Sequence, residues 1–260
     1  MKPLFACWNE VAPRLASSRL IALFLDFDGT LVDIRPRPDM VHVHPEARRA
    51  LAALARNPRF RVWVISARRR DDVRAHLRVP AVRYLGLYGW ERDGGQSTSS
   101  GAIGRVRAAL NGSLPHHQAI WVEDKQHTFA VHYRGAPEPV RRAAAERVFA
   151  AVEAWSGYVR VAPGKCVWEI VPLELGDKGL AVRREIAGLP GPALPVYIGD
   201  DLSDEAAFAA LETGLAIRVG FRRLTRARYR LDGAAGVYEF LERLRDISYQ
   251  PSAIGYQPGS

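Results

Sequence analysis

The sequence predicts an α/β fold: a doubly wound parallel sheet with a smaller α+β module inserted into it. Three observations carry this. Strand-like and helix-like segments alternate over residues 20–92 and again after residue 178, which is the order that builds parallel sheets. The first strand-like run is apolar throughout, as strands covered on both faces are. Between the two stretches the order of elements changes, for about 70 residues.

Taken in order, the run Leu20 to Leu25 ends abruptly in Asp26, Asp28, Gly29 and Thr30. Pro45 opens a helix of good formers, Glu46 to Arg56, with Ala50, Leu51 and Leu54 on one face, and Asn57-Pro58 stops it. Arg61 to Ile65 is a second strand, closed by Ser66. Arg69 to Leu77 is a helix, and Val82 to Tyr88 a third strand ending in Gly86-Leu87-Tyr88-Gly89-Trp90-Glu91. The turn-rich Asp93 to Gly101 is read as a hinge or hairpin tip. From Ala102 to Val171 the expected order is helix, strand, strand, helix, strand. Ile120–Glu123 and Thr128–Tyr133 form an antiparallel pair, Pro139–Ala154 a helix and Lys165–Val171 a strand. The sheet rhythm then resumes with a helix over Lys178–Ile186, a strand over Pro195–Ile198, a helix to Leu211, a strand over Gly214–Val219 and a helix over Val237–Arg245. The expected division is 1–97 and 176–247 for the sheet unit and 98–175 for a cap, with a disordered tail over 248–260.

Composition narrows the function. Hydrophobic and charged fractions of 48% and 25% are ordinary for a globular chain, and no apolar run approaches a membrane span. The first 19 residues lack the apolar core of a signal peptide, so a cytoplasmic location is expected. Cys7 and Cys166 lie far apart, which excludes a zinc knuckle and fits reduced thiols. The net charge of +9 comes from Arg spread along the whole chain. Its densest clusters, Arg68-Arg69-Arg70 and Arg222-Arg223, are short, so no nucleic-acid partner is expected; a positive field would draw anionic small molecules. Of 37 basic residues only Lys2, Lys125, Lys165 and Lys178 are lysines. In a chain that uses Arg almost everywhere, the three internal ones mark places where a compact ammonium is wanted.

Polar groups recur where ligands bind in open α/β sheets, at the carboxyl ends of strands and the starts of the helices that follow. Asp26 and Asp28 close the first strand, Ser66 the second, and Asp177-Lys178-Gly179 open the helix after the insert. Gly199-Asp200-Asp201-Leu202-Ser203-Asp204-Glu205 follows the strand at Pro195. Converging carboxylates call for a cation, and an oxygen-rich octahedral site suits Mg²⁺. A Lys and a Ser hydroxyl beside it fit phosphoryl oxygens. One Asp as nucleophile and another two residues on as acid/base would give phosphoryl transfer through an aspartyl-phosphate. Alternatives stay open here: Asp and Gly also form ordinary turns, and Ser66, Asp201 and Asp204 are good helix caps. His42-Val43-His44 and His116-His117 read as surface or loop.

Asp26-Phe27-Asp28-Gly29-Thr30 resembles the Asp-x-Asp-Gly-Thr signature of the haloacid-dehalogenase-like phosphatases, and Ser66, Lys178 and Gly199-Asp200-Asp201 fall in the order of that superfamily's later motifs. Within it, residues 20–245 are similar to the trehalose-6-phosphate phosphatases. The cap contributes Glu123-Asp124-Lys125, His132-Tyr133-Arg134 and Trp168-Glu169-Ile170-Val171-Pro172 to the likeness. The resemblance implies a Rossmann-like core with an α+β cap, and a monomeric enzyme acting on a small sugar phosphate. The reaction implied is Mg²⁺-dependent hydrolysis of trehalose 6-phosphate to trehalose and phosphate. It implies Asp26 as nucleophile and Asp28 as acid/base. Mg²⁺ would be held by Asp26, the Asp28 carbonyl and Asp200, with Asp204 or Asp201 steadying its waters, and the phosphate by Ser66 and Lys178. Glu123, Lys125, Arg134 and Glu169 would bind sugar hydroxyls, with Lys165 and Glu91 nearby. Arg134 paired with Glu169, or Glu123 with Lys125, as plain cap structure is the competing reading. The family's Gly-Asn-His-Gly-Ala-Glu is here Gly86-Leu87-Tyr88-Gly89-Trp90-Glu91, a departure at the core–cap seam, with Trp90 expected to alter sugar recognition. A phosphatase for sucrose 6-phosphate or a pseudo-disaccharide phosphate is the enzymatic alternative. A phospho-acceptor signalling domain is the non-enzymatic one, but such domains lack both the Asp at i+2 and the insert.

Overall fold

Along the strand that carries the Asp pair, every residue from Ile21 to Asp26 is buried. Ile21, Leu23 and Leu25 enter one hydrophobic core, while Ala22 and Phe24 enter another on the opposite face. The two-residue period of a strand covered by helices on both sides is why the run is apolar throughout.

The computed structural model describes residues 1–92 and 101–249. The chain begins with β1 (Lys2–Pro3), α1 (Trp8–Ser17), β2 (Ile21–Asp26), α2 (Pro45–Arg56), β3 (Phe60–Ile65), α3 (Arg70–Leu77) and β4 (Arg83–Leu85). The insert holds α4 (Gly101–Leu110), β5 (Trp121–Asp124), β6 (Phe129–His132), α5 (Glu138–Glu153), β7 (Val159–Gly164) and β8 (Val167–Pro172). The chain then continues with α6 (Lys178–Ala187), β9 (Leu194–Gly199), α7 (Glu205–Ala210), β10 (Leu215–Val219), β11 (Tyr229–Leu231) and α8 (Gly233–Tyr249).

The larger sheet has seven strands in the order β1-β11-β10-β9-β2-β3-β4, every pair parallel. Residues of α1, α2, α3 and α8 fill one core, and residues of α6 and α7 the other. Phe24 and Trp63 stack across β2 and β3 at 4.6 Å, and the Trp63 indole N–H donates to Glu185 at 3.0 Å. The insert folds as an antiparallel sheet, β5-β6-β8-β7, with α4 and α5 packed on it. Leu87 and Tyr88 of the larger unit join Ala162, Val171 and Leu175 in a small apolar cluster between the two sheets.

Several elements depart from expectation. β1 and β11 are two and three residues long, too short for a pattern. β7 holds Pro163 and Gly164, poor strand formers that an edge position tolerates. α1 forms around Pro13, in a segment to which the sequence assigns no element. The strand expected over Val82–Tyr88 stops at Leu85, because Leu87 and Tyr88 adopt left-handed φ of 46° and 61°. α8 runs through Tyr249, past the expected start of the tail; the rest of the tail, the boundary at 97/98 and all but Gly101 of the expected hinge lie outside the described residues. Among the described residues no helix is long and apolar enough to cross a membrane.

Candidate active site

Register brings the site together. β2 lies between β3 and β9, with Asp26 opposite Ile65 and Leu25 opposite Ile198. Ser66 and the Gly199-Asp200-Asp201 turn therefore leave the sheet beside Asp26. Asp26 is buried, and Phe27 beyond it turns into the core. Gly29 makes the return possible: its φ is 82°, and a Cβ there would lie 2.2 Å from an Asp200 carboxylate oxygen, so glycine is required twice over.

Lys178, the first residue of α6, is buried and donates to Asp26 Oδ1 and Asp204 Oδ1, each at 2.7 Å. Asp177 caps that helix through the Leu180 N–H. Asp204 also accepts from the Tyr197 hydroxyl at 2.7 Å and the Asp201 N–H at 2.8 Å. Asp26, Asp200 and Asp204 bring carboxylate oxygens within 4.8 Å of one another. One buried ammonium, bonded to two of them, lies among three carboxylates, and the electrostatics follow from that ratio. Burial, and then Asp204 and Asp200, push the Asp26 carboxyl well up despite Lys178. Burial with Asp204 and Asp201 raises Asp200 to about 7. Lys178 opposes its own burial with Asp204 and Asp26 and stays above its ordinary range. Asp200 Oδ1 is buried without a donor. An excess of buried carboxylate with an orphaned oxygen is a donor set that fits a hard divalent cation.

Asp28 is gripped by Arg68, whose Nε and Nη2 donate to its two oxygens at 2.7 and 2.8 Å while Nη1 donates to Asp72 at 2.9 Å. Ser66 accepts from the Arg68 N–H at 3.1 Å and does not cap α3, so its hydroxyl stays at the cavity wall. From β10, Arg218 reaches Glu205 and the carbonyls of Asp200 and Asp201, bracing the acidic turn from behind.

The smaller sheet supplies the opposite wall. Glu123, Ala130 and Glu169 are register partners on β5, β6 and β8. The alanine between them leaves room for both carboxylates on one face. Lys125, in the β5–β6 turn, is not the solvated residue a hairpin tip would give: it is buried, with Nζ 2.8 and 3.0 Å from the Glu169 oxygens and 3.2 Å from the Ala67 carbonyl. Burial would depress its ammonium, but Glu169 and Glu123 hold it above the ordinary value. Glu123 accepts from His132 at 2.8 Å, and His132 stacks on Trp121 at 3.9 Å. Burial works against the Glu123 anion, yet His132 and Lys125 hold its carboxyl low.

A cavity of about 160 Å³ lies between the walls. Asp26, Asp28, Ser66, Lys178, Asp200 and Asp201 line it from the larger unit, and Glu123, Lys125, Arg134, Lys165 and Glu169 from the smaller one. Asp204 stands behind Lys178, outside the lining. The structure places three of the expected residues against other groups. Glu91 is not at the cavity: its carboxylate accepts from the Arg70 N–H at 2.7 Å and caps α3. Arg134 does not pair with Glu169, which Lys125 occupies; it donates to the Lys165 carbonyl at 3.0 Å. At the seam it is Tyr88 that lines the cavity, while Trp90 packs edge-on against His127 at 5.4 Å. Lys165 faces the acidic cluster, 3.6 Å from Asp200. Sequence reasoning gave no role to Arg68, His132, Arg218 or Tyr88. The Ser66-Ala67-Arg68 and His132-Tyr133-Arg134 motifs were the available signals for two of them, and an Arg inside a buried strand for the third. His44 caps α2 and His117 accepts from the Ala119 N–H, and among the described residues the possible metal ligands that cluster in threes are Asp26, Asp200 and Asp204.

A parallel sheet with an Asp-x-Asp-Gly-Thr turn at a central strand, a buried Lys and an Asp cluster beside it, and a small α+β cap over it is the architecture of the haloacid-dehalogenase-like superfamily. The profile of the trehalose-phosphatase family matches residues 24–233, and the chain belongs to that family. A trehalose-phosphate phosphatase of Mycobacterium avium is 36% identical over 248 residues, covering 86% of this chain and 62% of that protein. A protein of Mycobacterium tuberculosis described as an uncharacterized glycosyl hydrolase is 36% identical over 279 residues, covering 95% of this chain but 20% of its own length. The chain thus spans a fifth of one relative and less than two thirds of the other. The C-terminal domain of the C. albicans trehalose-6-phosphate phosphatase shares the fold, with a TM-score of 0.77 at 22% identity over 91% of this chain and 97% of that one.

Proposed function

We propose that this chain is a Mg²⁺-dependent phosphatase that hydrolyses trehalose 6-phosphate through an aspartyl-phosphate. The observation that carries the reading is the meeting of Asp26, Asp28, Ser66 and Lys178 with Glu123, Lys125 and Glu169 around one cavity. We read residues 1–97 and 176–247 as the catalytic unit and 98–175 as the cap. Ser66 and Lys178 hold phosphate oxygens, and Arg68 orients Asp28. A carboxylate oxygen of Asp26 bonds to phosphorus as the bond to the sugar oxygen breaks, and Asp28 delivers a proton to that oxygen. Asp28 then takes a proton from water, whose oxygen bonds to phosphorus as the Asp26–phosphorus bond breaks. Asp26, the Asp28 carbonyl and Asp200, with Asp201 and Asp204 beside them, would hold Mg²⁺, which would supply neutralising charge to the phosphoryl group. The cap carboxylates and Lys125 bind sugar hydroxyls.

A panel of phosphorylated sugars, assayed for phosphate release, tests the substrate; trehalose 6-phosphate is expected among the best, and its absence from them overturns the assignment. Glu169→Gln and Lys125→Met are each expected to lower kcat/KM on the sugar phosphate by roughly tenfold or more while changing aryl phosphate turnover far less. Equal losses on both substrates remove the cap from recognition.

The metal makes a prediction in pH. Asp200 titrates near 7 in the folded chain against an ordinary 3.8, so between those values the metal-free folded state holds a proton that the unfolded state has released. Stability of the metal-free protein therefore falls as pH rises across that interval. Mg²⁺ competes with the proton, so the Tm increase it gives is expected to be several degrees larger at pH 8 than at pH 5. Thermal scans at the two pH values check this, and an equal or reversed shift contradicts it.

A further inference from the structure

The turn Gly86–Glu91 joins the two walls of the cavity. Leu87 and Tyr88 both adopt positive φ, a conformation unfavourable for residues with a Cβ. The surrounding bonds hold them there. The Tyr88 N–H donates to the Ser66 carbonyl and the Leu87 N–H to the Arg68 carbonyl, each at 2.9 Å, and Glu91 ties the turn's far end to α3. The turn is thus fastened to both ends of Ser66-Ala67-Arg68, a segment that lines the cavity. Its side chain faces the other way: the buried Tyr88 hydroxyl donates to Glu169 Oε2 at 3.3 Å. Burial and the Glu169 carboxylate push that phenol well up, so it stays a donor. Glu169 takes its other bonds from Lys125 and, at 3.3 Å, from Thr128, and Lys125 closes the circuit on the Ala67 carbonyl.

We propose that Tyr88 is a positioning residue for sugar recognition, locking the Lys125–Glu169 pair to the Ser66–Arg68 segment so that a seated sugar stands in register with the phosphate site. This rests on the reading of that pair as the sugar contact. The Trp90–His127 contact is a separate ring contact, whereas the Tyr88 hydroxyl touches the pair directly at Glu169.

The test is Tyr88→Phe, which removes one oxygen and keeps the ring, alone and combined with Glu169→Gln, with kcat and KM measured on trehalose 6-phosphate and on p-nitrophenyl phosphate. The single variant is expected to lose roughly tenfold in kcat/KM on the sugar phosphate, mostly through KM, and less than about twofold on the aryl phosphate. In the Glu169→Gln background the same change is expected to add less than about twofold. An equal loss on both substrates, or a full independent loss in the Glu169→Gln background, overturns the proposal. If another sugar phosphate proves the better substrate and shows the same selective loss, the positioning role stands and the trehalose 6-phosphate assignment falls. If trehalose 6-phosphate is preferred and Tyr88→Phe leaves its selectivity unchanged, the reverse holds.

Discussion

Asp26→Asn is expected to abolish turnover, by roughly 10⁴-fold or more, while the chain stays folded. The loss follows from chemistry: an amide cannot form the bond to phosphorus, and the other groups act on an intermediate that no longer forms. Stability is kept for an electrostatic reason. Burial and the neighbouring Asp204 and Asp200 oppose a charge on Asp26, so a neutral isostere relieves crowding, and Lys178 retains its 2.7 Å bond to Asp204. Phosphate release and circular dichroism on the same preparation check both halves. Activity retained with a native spectrum removes Asp26 as nucleophile.

Lys178→Met is expected to fail differently. It strands Asp26 and the fully buried Asp204 with no ammonium between them, and removing one member of a buried ion cluster costs about 3–5 kcal/mol. Activity goes with it, but the first readout is a lowered midpoint in urea. Lys165→Met is the control. Its side chain is 56% exposed and 3.6 Å from Asp200, so the midpoint moves by no more than about 1 kcal/mol in equivalent stability. A Lys178→Met protein as stable as the parent contradicts the picture of one cation holding two carboxylates together.

The comparison of these two lysines shows where the sequence was informative. The scarcity of Lys among 37 basic residues singled out Lys125, Lys165 and Lys178, and all three line the cavity. Continuous apolar runs ending in polar residues located β2, β3 and β9 and hence Asp26, Ser66 and Asp200, because a parallel sheet aligns its carboxyl ends. What stayed hidden depends on distant pairing. Nothing local says that Arg68 grips Asp28 across 40 residues, or that Tyr88 reaches Glu169 across 81. Glu91 closes the Gly86–Glu91 motif, and its place in the chain suggests the sugar site, whereas its carboxylate accepts from the Arg70 N–H at the start of α3. The Arg134–Glu169 pairing failed for the same reason: opposite charges in one module do not say which partner gets there first, and the buried Lys125 does.

Whether phosphate passes through the Asp26 carboxylate is decided by rapid acid quench of a single turnover with ³²P-labelled trehalose 6-phosphate. A transient, hydroxylamine-labile label on the protein is expected, mapping to the peptide containing Asp26 and absent in Asp26→Asn. Phosphate released at the full rate with no labelled protein, or a label that maps to another residue, would contradict it.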